Sequence, residues 1–108
     1  MAARFLELDS IDRLDEVFKE SLVRPVVVFK HSNRCGISSH LFEEIHAVES
    51  DVNVVVVQES RDVSDAIAER TGFRHHSPQV FVLKNGRAVY HASHYAIDPS
   101  AINRELQQ

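Results

Sequence analysis

Lys30-His31-Ser32-Asn33-Arg34-Cys35-Gly36-Ile37-Ser38 contains the only cysteine of the chain and separates two segments of different periodicity. The preceding residues, Val26–Phe29, are all apolar, which is typical of a strand that is buried on both faces. The following residues have the spacing of a helix with one apolar face, made of Ile37, Leu41, Ile45 and Val48. Cys35 is therefore predicted to lie where a buried strand leads into the first turn of a helix. The free N–H groups and positive dipole end at such a position stabilise an anion, and the thiolate is the nucleophilic form of cysteine.

The composition limits the classes of protein to which the chain can belong. Its 108 residues are enough for one domain with a single core, so we expect one domain over residues 1–108. The formal net charge of −4 argues against nucleic-acid binding, which depends on neutralising phosphates. No apolar segment is long enough to cross a membrane, and the acids Glu7 and Asp9 interrupt any signal-peptide pattern. A lone cysteine forms no internal disulfide, which favours the cytoplasm.

The first half of the chain is predicted to alternate helix and strand. Ser10 can cap a helix that begins at Ile11, and Pro25 ends this element. The helix that follows Cys35 is expected to run to about Glu49. A turn at Asp51–Asn53 then leads to a second buried strand, Val54–Val57, whose β-branched residues favour strand over helix.

The second half is predicted to contain a helix, a hairpin and a last helix. The third helix begins near Asp62 and stops at Gly72, which is predicted to be its left-handed cap. Asn85-Gly86 is a strong hairpin signal between two apolar runs, and Asp98-Pro99 opens the last helix with proline at its first position. The predicted order is α-β-α-β-α-β-β-α in one three-layer α/β/α domain, whose central mixed sheet combines parallel strands with an antiparallel hairpin.

Several short motifs give the chain a resemblance to a known family. A cysteine at a strand-to-helix turn, with Pro78 before a later hairpin, resembles the thioredoxin fold. The motifs are similar to those of the YtxJ-like monothiol bacilliredoxins and cover the chain from about residue 25 to residue 97. They read Phe29-Lys30-His31-Ser32 running into Cys35-Gly36-Ile37-Ser38, Arg61 to Ala68, His75-His76-Ser77-Pro78-Gln79 and Ser93-His94-Tyr95. Gly36 departs from the family, because proline usually stands there and would fix the first helical turn better than glycine does.

This resemblance implies thiol–disulfide exchange at Cys35. Ser38 stands three positions later, where a dithiol protein would have its second cysteine. Its hydroxyl can hydrogen-bond the thiolate, but it cannot attack a mixed disulfide. His31 is predicted to modulate the thiolate, because a neighbouring imidazolium favours the anion. We therefore predict Cys35, Ser38 and His31 as catalytic residues, against the alternative of an inert buried cysteine.

A binding region is predicted around the sulfur atom. Loops at Lys30 to Arg34, around Arg61 and at Arg74 to His76 should converge on Cys35. The resemblance implies a cis peptide bond before Pro78, with the backbone there pairing with an extended substrate. The cations would form a positive patch that attracts the carboxylates of a low-molecular-weight thiol, the alternative being ordinary solvated surface charge. The predicted binding residues are Lys30, Arg34, Gly36, Arg61, His76, Ser77 and Pro78.

Two classes of function remain open at this point. The first is a monothiol oxidoreductase that removes bacillithiol or glutathione from S-thiolated client proteins, with the thiol as a co-substrate and no tightly bound cofactor. The second is a non-catalytic redox sensor whose Cys35 is reversibly S-thiolated under oxidative stress. A third, iron–sulfur carriage between two monomers, would depend on external thiols, because each chain supplies one thiolate.

The seven histidines raise the question of a metal site. Zinc sites generally have more thiolates and tighter paired spacings than those of His31, the His75-His76 pair, His91 and His94. We therefore predict no metal, and we expect His94 to pack against the last helix.

Overall fold

A computed structural model describes residues 3–108, and its centre is one five-stranded sheet. The order of the strands across the sheet is β1-β3-β2-β4-β5. The first three are mutually parallel, whereas β4 runs antiparallel to β2 and β5 runs antiparallel to β4. This confirms the predicted mixed sheet. The strands are β1 (Arg4–Glu7), β2 (Val26–His31), β3 (Asp51–Val56), β4 (Gln79–Lys84) and β5 (Arg87–Ser93).

Four helices cover the two faces of the sheet. Strand β2 shows how the two faces divide, because Val27 and Phe29 belong to one apolar cluster and Val26 and Val28 to the other. The first cluster includes residues of α2 and α4, and the second includes residues of α1 and α3. The result is the predicted three-layer arrangement. The helices are α1 (Ile11–Glu20), α2 (Gly36–Glu44), α3 (Arg61–Thr71) and α4 (Pro99–Gln107), with short 3₁₀ turns at Ile45–Ala47 and His94–Ala96.

The local signals act where the sequence places them. Ser10 Oγ accepts a hydrogen bond of 3.1 Å from the Arg13 N–H and caps α1. Gly72 has a φ of 78° and ends α3 in the left-handed conformation. Asn85 and Gly86 have φ values of 55° and 79°, as a tight hairpin turn requires. These three boundaries were therefore predictable from local chemistry alone.

The structure differs from the sequence prediction in three places: one additional strand, the end of α2 and the bounds of β3. It contains an additional first strand, β1, whose four residues are too few to give a periodic pattern. Helix α2 ends at Glu44 and gives way to a 3₁₀ turn, instead of continuing to about Glu49. The predicted turn at Asp51–Asn53 is the beginning of β3, and the strand ends at Val56.

The hydrogen bonds of the Asn53 side chain explain why β3 tolerates a buried polar residue. Its side chain is buried, and Nδ2 donates a hydrogen bond of 3.1 Å to the Val27 carbonyl. Its Oδ1 accepts a hydrogen bond of 3.2 Å from Arg13 Nη2. The backbone of the same residue pairs with β1 and β2. An asparagine that resembles a turn residue in the sequence is thus a satisfied core residue.

The register of the strands brings four loops to one end of the sheet. His31 at the end of β2 is opposite Val56 at the end of β3, and both strands run in the same direction. Lys30 is opposite Gln79, the first residue of β4, and Gln79 is opposite Ser93, the last residue of β5. We call this the Cys35 end, made of residues 32–35, 57–60, 74–78 and 94–96. The convergence of loops expected from the sequence is therefore present.

None of the helices within residues 3–108 is long and apolar enough to cross a membrane.

Candidate active site

Cys35 occupies the N-cap position of α2. Its backbone is extended, with φ −122° and ψ 121°, and its carbonyl accepts a hydrogen bond of 3.1 Å from the Ser39 N–H. The side chain does not cap the helix, and the residue is half-buried. The thiol therefore lies at the positive end of a helix and within reach of solvent. Gly36, the first helical residue, is exposed and has no atom within 4 Å of the position that a Cβ would take.

The Ser38 hydroxyl is engaged by the strand before Cys35. Ser38 is fully buried, and its Oγ accepts a hydrogen bond of 2.9 Å from the Ser32 N–H. The same atom lies 2.8 Å from His31 Nδ1. When His31 is neutral and Nδ1 is an acceptor, Ser38 donates its single proton to the imidazole. Ser38 therefore bonds the preceding strand and loop, whereas the sequence suggested a hydrogen bond to the thiolate.

His31 lies in an environment that favours the neutral imidazole. The ring is half-buried and stacks on Phe42 with 4.7 Å between centroids. Burial lowers the pKa of His31, so an imidazolium is disfavoured near neutral pH. The predicted electrostatic role of His31 therefore changes, since the contact that the structure shows is the hydrogen bond that holds Ser38.

Lys30 is buried, and this removes it from the exposed positive patch that the sequence suggested. Its side chain lies on the α1 and α3 side of the sheet, where Nζ is 3.2 Å from His75 Nδ1. Burial lowers the pKa of Lys30 to about 8, and the negative charge of Asp65 opposes this change. The position next to the exposed loop gave no indication of this burial, because the partner His75 is 45 residues away in the sequence.

His75 joins the buried lysine to the loop before Pro78. Its Nδ1 lies 3.2 Å from Lys30 Nζ and also 3.2 Å from Ser64 Oγ on α3. Burial, followed by the positive charge of Lys30, lowers the pKa of His75. A neutral ring whose Nδ1 accepts these bonds carries its proton on Nε2.

Gln58 is a site residue that the sequence did not indicate. It follows β3, and its Nε2 donates a hydrogen bond of 2.7 Å to Ser32 Oγ. Its Oε1 accepts a hydrogen bond of 3.2 Å from the Asn33 N–H. One amide therefore holds two consecutive residues of the loop that carries Cys35. No motif contains Gln58, and the sequence offers no signal for this contact.

Gln79 does for the second loop what Gln58 does for the first. Its side chain is buried, with Oε1 accepting from the His76 N–H at 3.2 Å and Nε2 donating to the Arg74 carbonyl at 3.0 Å. The Ser77-Pro78 peptide bond inside this loop is cis, as the resemblance implied. Gln79 belongs to one of the recognised motifs, so its importance could have been inferred from the sequence, although its bonds could not.

The 3₁₀ turn at His94–Ala96 closes the site beside Pro78. The His94 N–H donates a hydrogen bond of 3.0 Å to the Pro78 carbonyl, and His94 has a φ of 53°. Its ring meets the His76 ring edge-on at 5.5 Å between centroids. The contacts that the structure shows for His94 are with the Pro78 loop. Its expected packing against the last helix stays a prediction.

The remaining predicted binding residues lie at the Cys35 end, and Arg34, Arg61 and His76 are exposed there. Arg34 and His76 lie in the loops that carry Cys35 and Pro78, Arg61 begins α3, and Ser77 is half-buried. Arg74, in the same loop as His76, is also exposed. Exposed cations thus come from three separate segments. Within residues 3–108 no group of three or more histidine, cysteine or acidic side chains is arranged to hold a metal ion.

Comparisons with known proteins agree with this geometry. A solved structure described as a candidate oxidoreductase with a thioredoxin fold is 32% identical, covers 96% of this chain and 94% of its own, and has a TM-score of 0.85. A mutant thioredoxin from Halobacterium salinarum is 18% identical, with 96% and 88% of the two chains covered and a TM-score of 0.75. Thioredoxin from Malassezia sympodialis is 17% identical, with 100% and 91% covered and a TM-score of 0.74. The latter two show the fold alone.

The family comparison covers nearly the whole chain. The sequence model of the monothiol bacilliredoxin BrxC matches residues 6–102, which include every residue of the site described above. The chain has one cysteine, as a monothiol protein requires, and that cysteine begins a helix at the end of a parallel strand. A thioredoxin fold, a single thiol and this match together define a thiol–disulfide redox protein that belongs to the monothiol bacilliredoxin BrxC family.

Proposed function

We propose that the protein is a monothiol oxidoreductase that removes a low-molecular-weight thiol of the bacillithiol type from mixed disulfides on client proteins. The observation that carries the proposal is the position of Cys35 at the N-terminus of α2, half-buried, with serine in place of a second cysteine. Such a thiol can accept another thiol through exchange, but it has no internal partner with which to form a disulfide.

The chemistry is two successive exchanges. The Cys35 thiolate attacks the sulfur of the small thiol in the mixed disulfide, and the client thiolate leaves and takes a proton from solvent. Cys35 then carries the small thiol as a new mixed disulfide. A second molecule of the small thiol attacks that disulfide as its thiolate, which restores the Cys35 thiolate and releases the oxidised, disulfide-linked form of the small thiol. Electrons balance, because the client sulfur is reduced while the incoming small thiol is oxidised, and the small-thiol sulfur already in the mixed disulfide keeps its oxidation state.

The surroundings of Cys35 support this reaction in two ways. The backbone before Pro78 lies at the Cys35 end and suits pairing with an extended client segment. The exposed Arg34 and Arg74 offer positive charge to the carboxylates that bacillithiol and glutathione both carry. A lone cysteine also suits a reducing compartment, so we place this reaction in the cytoplasm.

The test uses a fluorescent reporter protein that carries a bacillithiol or a glutathione mixed disulfide, with the free thiol supplied in excess. The wild-type chain should release many equivalents, the Cys35→Ser variant should release no more than the free thiol alone does, and mass spectrometry should find the small thiol on Cys35. The double variant Arg34→Glu with Arg74→Glu should be slower with a carboxylate-bearing thiol. The variant Arg87→Glu, in the distant hairpin, is a matched control that should not be slower.

A single transfer that leaves Cys35 modified would contradict turnover and support the redox sensor. Release by the Cys35→Ser variant as fast as by the wild type would refute the proposed role of the thiol. Equal rates for the double charge variant and the wild type, with both thiols, would refute the proposed attraction by the arginines.

A further inference from the structure

A small cavity lies beside the loop that carries Cys35. Its volume is about 180 Å³, and it opens between the end of β3, the first turns of α3 and the loop before Pro78. Five of its six lining residues are polar or charged. The lining residues are Val57, Gln58, Arg61, Ser64, Asp65 and His75.

The cavity contains two side chains of opposite charge that do not form an ion pair with each other. Arg61 and Asp65 are one helical turn apart on α3, where an ion pair could form. The ion pairs found in residues 3–108 join other side chains, and none within 4.0 Å joins these two. A guanidinium and a carboxylate therefore line one cavity without an ion pair between them, although the charge of Asp65 also acts on Lys30 and His75.

His75 lines the same cavity. When Lys30 Nζ donates to its Nδ1, the proton of the neutral ring is on Nε2, which is then a free donor. Lys30 is buried behind this ring. A carboxylate near Arg61 and His75, with an ammonium near Asp65, would satisfy all three groups.

Gln58 connects this cavity to the reactive sulfur. The side chain that lines the cavity also bonds Ser32 Oγ and the Asn33 N–H. Asn33 is two residues before Cys35, a separation of at most about 7 Å along an extended chain. The cavity and the loop that carries Cys35 therefore share the side chain of Gln58.

From these observations we propose that the cavity binds the zwitterionic part of the low-molecular-weight thiol, its carboxylate at Arg61 and His75 and its ammonium at Asp65. This proposal rests on the function proposed above and makes it more specific. It states that the preferred thiol carries both an amino group and a carboxylate, which is the chemistry of cysteine-derived thiols. The exposed arginines of the other loops would then attract the thiol, while the cavity would select it.

The kinetic test compares four mixed disulfides on one reporter protein, made with cysteine, cysteamine, 3-mercaptopropionate and 2-mercaptoethanol. With the chain in excess over the reporter, the first transfer is measured without recycling. Asp65→Asn should slow the two amine-bearing thiols by about threefold to fivefold, as expected for a partly exposed ion pair. Arg61→Gln should slow the two carboxylate-bearing thiols similarly, and neither change should affect 2-mercaptoethanol.

Glu69→Gln, an exposed change two turns along the same helix, is the matched control and should slow none of the four thiols. Cys35-dependent transfer that is equally fast for all four thiols in the wild-type chain would overturn the role of the cavity, while leaving the exchange reaction intact. Equal slowing of all four thiols by Asp65→Asn would also overturn it, because that result indicates damage to the loop.

A binding measurement tests the cavity without any exchange. S-methylcysteine, which has the two charges but no free thiol, is titrated into the Cys35→Ser chain while the NMR signals are followed. The Gln58 side-chain amide and the His75 ring should shift in a saturable manner, and Asp65→Asn should abolish the shifts. Absence of these shifts in the parent chain would overturn the proposal, even if the protein also fails to exchange thiols.

Discussion

The two ends of the sheet carry cavities of very different size and chemistry. The larger cavity, of about 510 Å³, lies at the end opposite Cys35 and is lined by residues that include Arg4, Arg13, Asp51 and Asn53. Some of its polar groups bond one another, as in the 2.8 Å ion pair of Arg4 with Asp51. Glu20 and Arg24 also line it, and no ion pair found within residues 3–108 joins these two. No histidine or cysteine lines it.

The cavity at the Cys35 end is the smaller of the two, and the opposite charges that line it do not form an ion pair. This cavity, of about 180 Å³, contains Arg61 and Asp65 without an ion pair between them, and a buried lysine lies behind His75. The difference shows that volume does not locate the reactive end of this molecule. A thiol at a helix N-terminus and a buried amine with a lowered pKa at the same end locate it better.

Lys30→Met should produce the largest of the predicted effects. It removes a buried charge from the Cys35 end, and no other charged side chain within residues 3–108 is buried. Lowering the pKa of Lys30 from 10.5 to about 8 means that the folded state binds the proton less tightly than the unfolded state. At neutral pH this penalty is fully present and amounts to roughly 3 kcal/mol, so the variant should gain up to about that much free energy of unfolding.

The pH dependence of the same pair of proteins provides the check. Below about pH 8 both states of the wild type are protonated and the penalty is constant. Between about pH 8 and 10.5 the unfolded state binds more protons, so the wild-type stability should rise relative to Lys30→Met. Urea unfolding of both proteins at several pH values measures this, and parallel curves would contradict the buried, weakly basic amine.

Gln58→Ala should have an intermediate effect, confined to the reactive end. The change removes both hydrogen bonds that hold the loop at Ser32 and Asn33. Loss of these bonds should cost about 1–2 kcal/mol in the first exchange step, or roughly a tenfold slower transfer to Cys35.

The matched change at the opposite end is Arg4→Ala, which breaks an exposed ion pair and should leave the transfer rate unchanged. Stopped-flow measurement of the reporter signal distinguishes the two variants. A Gln58→Ala protein as fast as the wild type would show that the loop keeps its conformation without the amide. An equal loss of rate in Arg4→Ala would remove the distinction between the ends.

Gly36→Pro should have the smallest effect and should stabilise the Cys35 end. Cys35 already has the extended backbone that a residue before proline adopts, and no atom stands within 4 Å of the Cβ position at Gly36. Proline is also well accepted as the first residue of a helix. The free energy of unfolding should rise by about 0.5–1 kcal/mol, because the unfolded chain loses freedom. Gly36→Ala is the control for the loss of glycine alone, and a destabilised proline variant would contradict the fit.

Local chemistry explains which parts of the fold the sequence could predict. The cap at Ser10, the left-handed end at Gly72 and the turn at Asn85-Gly86 each depend on one to three neighbouring residues. The position of Cys35 follows from an apolar strand and a helical spacing that adjoin. These features required no knowledge of distant contacts.

The features that the sequence could not predict depend on partners far along the chain. Strand β1 is defined by its pairing with β3 rather than by any pattern of its own. The buried Lys30 amine has His75 as its hydrogen-bond partner, and Gln58 holds the Cys35 loop through a hydrogen bond to Ser32. The catalytic roles predicted for Ser38 and His31 remain predictions, and the structure shows that the two side chains are hydrogen-bonded to each other.

The engagement of Ser38 has a consequence for how the reaction would respond to its surroundings. The position that could hold a second sulfur is filled by a buried hydroxyl bonded to Ser32 and His31, so the adduct on Cys35 has no intramolecular exit. In the proposed reaction, the lifetime of that adduct would then be set by the supply of free thiol outside the protein, and regeneration would be first order in that thiol. A cell with a depleted thiol pool would accumulate the blocked form, and the fraction of active protein would follow the pool itself.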